Sequence, residues 1–105
     1  MSDIYNQLIT INEATFSTGH YEASYHALMA ALHYARDVKD CKALADIARL
    51  AGEQLSWIDS HAPEYRHSTR SSQLRNNENI LAVLARQAEA SIVILEHEAS
   101  KETEL

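Results

Sequence analysis

The chain has 105 residues, of which 46% are hydrophobic and 23% are charged, and its formal net charge is −6. This size predicts one globular domain over residues 1–105, and the negative charge argues against general nucleic-acid binding, which relies on Lys and Arg to neutralise phosphates. With only 2 Gly and 1 Pro, the composition favours an all-α fold over any sheet.

The first predicted helix covers about residues 3–17. Two apolar lines with helical spacing run along it: Ile4, Leu8, Ile11 and Thr15, and then Tyr5, Ile9 and Phe16. Two lines imply two packing contacts. We expect one line to pack on the next helix, and the other to face a later helix or a partner.

The second predicted helix, about residues 20–38, has an unusually wide apolar arc. The arc contains Tyr21, Tyr25, Leu28, Ala31, Leu32, Ala35 and Val38, and Ala23, Ala27 and Tyr34 extend it. A helix with one packed side shows an apolar stripe of roughly 100°, whereas this arc covers more than half of the circumference. We therefore expect neighbours on two sides. The short link after the first helix predicts that the two helices are antiparallel neighbours.

The first two helices resemble a single divergent tetratricopeptide repeat over about residues 5–38. The resemblance rests on the following residues: Gly19-His-Tyr-Glu-Ala, then Ser24, Leu28, Ala31 and Leu32, with Leu8 and Ile11 in the first helix. It covers about a third of the chain. The sequence departs from the repeat pattern at Asn12, Thr15, Ser24 and Arg36. The resemblance implies a partner-binding groove lined mainly by the first helix of each hairpin.

The third predicted helix covers about residues 40–60, with Asp40 as a candidate cap and with Leu50 and Trp57 flanking its apolar face. A loop is predicted at about residues 61–73, where Pro63 disfavours helix. This loop is the only locally basic region and contains Arg66, Arg70 and Arg75. It is either a solvated segment or a contact for an acidic partner or a phosphate group.

The last predicted helix covers about residues 74–99 and has more apolar surface than one packed face requires. Besides a core stripe, a second stripe contains Ile80, Val83, Ala90 and Ile94. Either this helix is central and covered on both sides, or the second stripe faces another molecule. A self-complementary patch would suit a two-fold homodimer.

The residues with the clearest chemical potential are Glu22, His26, His33 and Asp37, which share one sector of the second helix. Imidazole and carboxylate groups bind zinc or iron, so a metal- or small-molecule-binding bundle is the alternative function. His26 and His33 are roughly 10 Å apart along the axis, too far to hold one ion without another helix. A solvated polar face is the simpler interpretation. No catalytic motif or cofactor fingerprint is present, and we expect neither enzyme activity nor a cofactor.

The sequence thus predicts four helices in antiparallel hairpins, arranged as in tetratricopeptide repeats or as a bundle. We expect a non-enzymatic interaction or scaffold module that binds a protein or peptide and self-associates as a dimer. The candidate partner-binding residues are Tyr5, Ile9, Asn12 and Phe16 in the first helix and Val83, Ala90 and Ile94 in the last. The single cysteine, Cys41, and the lack of a signal or membrane-spanning segment predict a cytoplasmic protein with no membrane partner.

Overall fold

The computed structural model describes residues 3–104, with side chains described for residues 3–101. All regular secondary structure in this range is α-helical, which confirms the all-α prediction. Five helices follow one another: α1 (Asp3–Ser17), α2 (Tyr21–Asp37), α3 (Cys41–His61), α4 (Thr69–Leu74) and α5 (Ile80–Glu104). None of the described helices combines the length and apolar content that crossing a membrane requires. The predicted domain also included residues 1, 2 and 105, which lie outside the described residues.

The first three helices lie within one residue of their predicted bounds, and tight turns connect them. Gly19 adopts a positive φ of 83°, and the N–H of His20 donates to the Thr15 carbonyl at 2.8 Å. This is a common way to end a helix, because glycine has no β-carbon to resist the left-handed conformation. At the next turn, the Asp40 carboxylate accepts a hydrogen bond from the Ala43 N–H at 3.0 Å. The predicted cap of α3 is therefore confirmed.

The core is organised around α2, which packs against α1, α3 and α5. Its buried apolar residues are Ala27, Leu28, Ala31, Leu32 and Ala35. The predicted wide arc is therefore covered on more than one side, and each buried leucine contributes about 1.5–3 kcal/mol. The prediction is wrong at Val38, which is 51% exposed because the helix ends at Asp37 and the chain turns away.

The predicted loop at about residues 61–73 contains α4, so the prediction of four helices is corrected to five. Ser68 caps α4, because its Oγ accepts a hydrogen bond from the Ser71 N–H at 3.1 Å. The Asp59 carboxylate at the end of α3 accepts a second bond, from the Thr69 N–H at 2.8 Å. These polar side chains accept hydrogen bonds from the first backbone N–H groups of α4, a helix that apolar periodicity in the sequence does not predict.

The last helix begins at Ile80 rather than near residue 74. Asn79 determines this start: its Oδ1 accepts hydrogen bonds from the N–H groups of Leu81 at 2.9 Å and Ala82 at 3.1 Å. Its Nδ2 donates to the His67 carbonyl at 2.6 Å. Asn79 therefore caps α5 and also fastens α5 to the preceding segment.

Candidate functional site

An open groove lies between α1 and α3. Three contacts join the two helices, and they follow the same order along α1 as along α3. They pair Tyr5 with Ala43, Asn12 with Gln54 and Phe16 with Trp57. Because the residue numbers rise together, α1 and α3 run in the same direction, and the groove lies between their later halves.

Three buried polar side chains, one from each of the first three helices, are joined by hydrogen bonds next to this groove, and one of them, Gln54, lines it. Asn12 Nδ2 donates to the Ser24 carbonyl at 2.8 Å and lies 2.9 Å from Ser24 Oγ. Gln54 Nε2 donates to Asn12 Oδ1 at 2.6 Å. Leaving a buried amide unpaired costs about 1–3 kcal/mol. The bonds therefore fix how α1, α2 and α3 are aligned along one another.

A layer of aromatic rings closes one end of the groove. Phe16 lies 5.1 Å from the Tyr21 ring and 5.5 Å from the Trp57 ring, measured between centroids. Tyr21 also contacts Tyr65 at 5.1 Å, and His61 stacks on Trp57 at 4.3 Å with an interplanar angle of 7°. Trp57 nevertheless remains 41% exposed, so a large aromatic surface faces the solvent.

The groove beside Trp57 has a volume of about 250 Å³. Its lining combines apolar side chains with carboxylates: Glu13, Phe16, Leu50, Glu53, Gln54 and Trp57. Glu13 and Glu53 are exposed. Glu53 pairs with Arg49 at 3.0 Å on the surface of α3, whereas Glu13 has no ion pair among the described residues. The lining therefore combines apolar surface with negative charge.

The four predicted groove residues of α1 differ in where the structure places them. Phe16 lines the groove, whereas Ile9 is half-buried against the core. The prediction that Tyr5 and Asn12 contact a partner is corrected: both are buried, because their polar atoms bond to α3 and α2 within the molecule.

The second apolar stripe of α5 is half covered. Val83 is partly buried, whereas Ala90 is exposed and Ile94 is 57% exposed, next to Val93 at 65%. The beginning of the stripe therefore packs inside the molecule, and only its later part faces the solvent.

The three arginines of the predicted basic loop are exposed and all have partners. Arg66 lies 3.8 Å from Glu22, and Arg70 pairs with Glu64 at 2.9 Å. Arg75 donates to the Arg66 carbonyl. Glu22 and Glu64 offset the charges of Arg66 and Arg70, whereas the partner of Arg75 is an uncharged carbonyl.

The predicted metal-ligand set does not converge. Glu22 and Asp37 are 15 residues apart, about 22 Å along a helix axis. His26 reaches only Glu22, at 4.0 Å, and His33 lies exposed further along α2. Among the described residues, no group of three His, Cys, Asp or Glu side chains is placed to hold a metal ion.

Glu22 instead anchors the segment that precedes α4. The Nε2 atom of His67 lies 3.3 Å from a Glu22 carboxylate oxygen, and the His67 ring contacts Tyr65 at 5.3 Å. Burial lowers the pKa of His67, and the attraction of Glu22 opposes that shift while Arg66 adds to it. Burial also raises the pKa of Tyr65, with Glu22 adding to the effect.

Most of the residues that line the groove were not predicted from the sequence. Leu50 and Trp57 were identified as flanking the apolar face of the third helix, and bulky apolar residues beside a core stripe are a signal of a surface contact. The acidic members, Glu13 and Glu53, carried no signal, because exposed carboxylates are common on any helix. Comparison with protein-family models, curated proteins and solved structures finds no match for this chain. The tetratricopeptide resemblance therefore remains a prediction.

Replacing Asn12 with alanine should lower the free energy of unfolding by about 2–3 kcal/mol, because Gln54 and Ser24 lose their buried partner. Urea denaturation followed by circular dichroism measures this change. Asn6→Ala, an exposed position on the same helix, is the control. The double variant Asn12→Leu/Gln54→Leu should cost less than the sum of its single substitutions. Equal stability of Asn12→Ala and Asn6→Ala would contradict the role of these bonds.

Protonation of His67 should destabilise the fold. The unfolded chain binds a proton near the ordinary histidine pKa of about 6.5, whereas the folded protein binds it only at lower pH. Neutral His67 therefore stabilises the fold above the histidine pKa of the unfolded chain, and this stabilisation is lost as the pH falls through the pKa of His67 in the folded protein. Urea unfolding at about pH 7.5 and about pH 5 should show a smaller loss of stability for His67→Gln than for the wild type. His33→Gln, which changes an exposed histidine, should keep the wild-type loss; a wild-type loss in His67→Gln would contradict the prediction.

Proposed function

We propose that this protein is a non-enzymatic helical interaction module that binds a peptide segment of another protein in the groove between α1 and α3. The observation that carries the proposal is the exposed indole of Trp57 in an open groove lined by Phe16 and Leu50. Tryptophan is enriched among the residues that dominate binding energy at protein interfaces. A large aromatic surface left open to water is also a common mark of a recognition site.

The placement of this groove supports the tetratricopeptide interpretation. In that interpretation α1 and α3 are the first helices of two successive hairpins, and α2 and α5 are the second helices. The groove then falls where the resemblance implies that a partner binds. The parallel direction of α1 and α3, with α2 packed against both, is compatible with this arrangement.

Self-association is the second part of the proposal. Repeat units cover their apolar faces with neighbouring units. Ala90, Val93 and Ile94 form an exposed apolar patch on α5. We propose that a second copy of the chain covers this patch in a two-fold dimer.

Trp57→Ala should weaken binding of the natural partner at least about tenfold, because the main contact surface is removed. Pull-downs from native lysate, quantified by mass spectrometry, would compare the wild type with Trp57→Ala and Val38→Ala. Val38 is an exposed apolar residue outside the groove and serves as the control. Circular dichroism would establish that both variants are folded. A protein retained equally by the wild type and Trp57→Ala does not use the groove, and the proposal would then fail.

Ile94→Glu should dissociate the dimer, because a charge in an apolar interface is costly to bury. Light scattering across a dilution series should give about twice the 11.8 kDa chain mass for the wild type and the single-chain mass for the variant. Ile4→Glu introduces the same change at an exposed position of α1 and should remain dimeric. A wild-type monomer throughout the micromolar range would rule out the dimer.

A further inference from the structure

We infer that the groove corner formed by Trp57, Glu13 and Glu53 receives an arginine or lysine side chain of the partner. This inference rests on the proposed function and specifies the chemistry of what the groove binds. It follows from three observations: a partly exposed indole, carboxylates on both walls, and the negative charge of the whole chain.

The aromatic observation concerns Trp57. The indole is the aromatic group that attracts cations most strongly. His61 stacks flat on one face of the ring, and Phe16 and Tyr21 contact it with centroids 5.5 Å and 6.0 Å away, so three neighbours hold the ring in place while 41% of the residue stays exposed. A ring fixed in advance loses little side-chain freedom when a ligand packs against it.

The carboxylates come from opposite walls of the groove. Glu13 lies on α1, one turn before Phe16, and Glu53 lies on α3, one turn before Trp57. A cation between them would be attracted from both sides. Arg49 is the cation nearest to this corner, and it already pairs with Glu53 at 3.0 Å. Glu13 has no such competitor among the described residues, so it should contribute more than Glu53.

The shape and charge of the site exclude other ligand classes. An acidic side chain would meet two carboxylates, and a purely apolar one would interact with neither of them. The volume of about 250 Å³ is many times that of one water molecule, about 30 Å³, so a long side chain fits. The net charge of −6 also attracts a basic segment from a distance.

The test begins with a random peptide library displayed on phage and panned against the full chain. Recovered peptides should be enriched in arginine or lysine beside apolar residues. Trp57 is the only tryptophan in the sequence, so its fluorescence reports directly on the site during titration with a recovered peptide. Replacing the peptide arginine with citrulline, or its lysine with norleucine, removes the charge and should weaken binding about tenfold.

Protein variants provide the matched comparison. Glu13→Gln should weaken binding of the recovered peptide more than Glu53→Gln does. Glu89→Gln, an exposed position on α5 with the same change of charge, should have little effect. Added salt should weaken binding to the wild type.

The outcomes separate the two proposals. Recovered peptides that are acidic or purely apolar, or a charge-free peptide that binds as well as the charged one, would overturn the inference and leave the groove as a binding site. Failure to recover any peptide, or binding that neither changes Trp57 fluorescence nor responds to Trp57→Ala, would overturn both.

Discussion

More apolar surface lies on α2 than one neighbouring helix can cover. α1, α3 and α5 all pack against it, around the buried residues Ala27, Leu28, Ala31, Leu32 and Ala35. The contacts between α1 and α3 show that these two helices lie side by side and run in the same direction. The groove between them has Phe16 on one wall and Trp57 on the other.

Polar groups then determine how the helices align. Hydrophobic contact is not directional, so alanine and leucine alone would tolerate several alignments of α1 on α3. The hydrogen bonds of Asn12 with Gln54 and Ser24 favour one alignment. On the other side of α2, Glu22 fixes the segment before α4 through His67 and Arg66. These two small polar clusters therefore determine the relative positions of segments that the apolar core holds in contact.

Helical periodicity was sufficient to predict α1, α2 and α3 closely, because their signals are local: an apolar arc, a glycine turn and the Asp40 cap. The region from residue 62 to residue 79 could not be predicted in the same way. Its structure depends on Asp59 and Asn79, which bond to the backbone of Thr69 and His67, 10 and 12 positions away, and nothing in the spacing of these residues reveals their partners. Phe16 could be assigned to the site from its helix face. Asn12 could not be assigned to the interior, because its partner Gln54 lies 42 positions away.

The order in which the helices pack also bears on how the chain folds. α1 packs on α2 and α2 on α3, and in each pair the two helices follow one another directly, whereas α5 packs on α3 and α2 from beyond the intervening α4. Helices that follow one another directly can pair early, because only a short segment must be closed before their contacts form. The longest segment to close here is the connection between α3 and α5 at residues 62–79. Docking of α5 is therefore the step with the largest entropic barrier, and a nascent chain would pair its first three helices before its last.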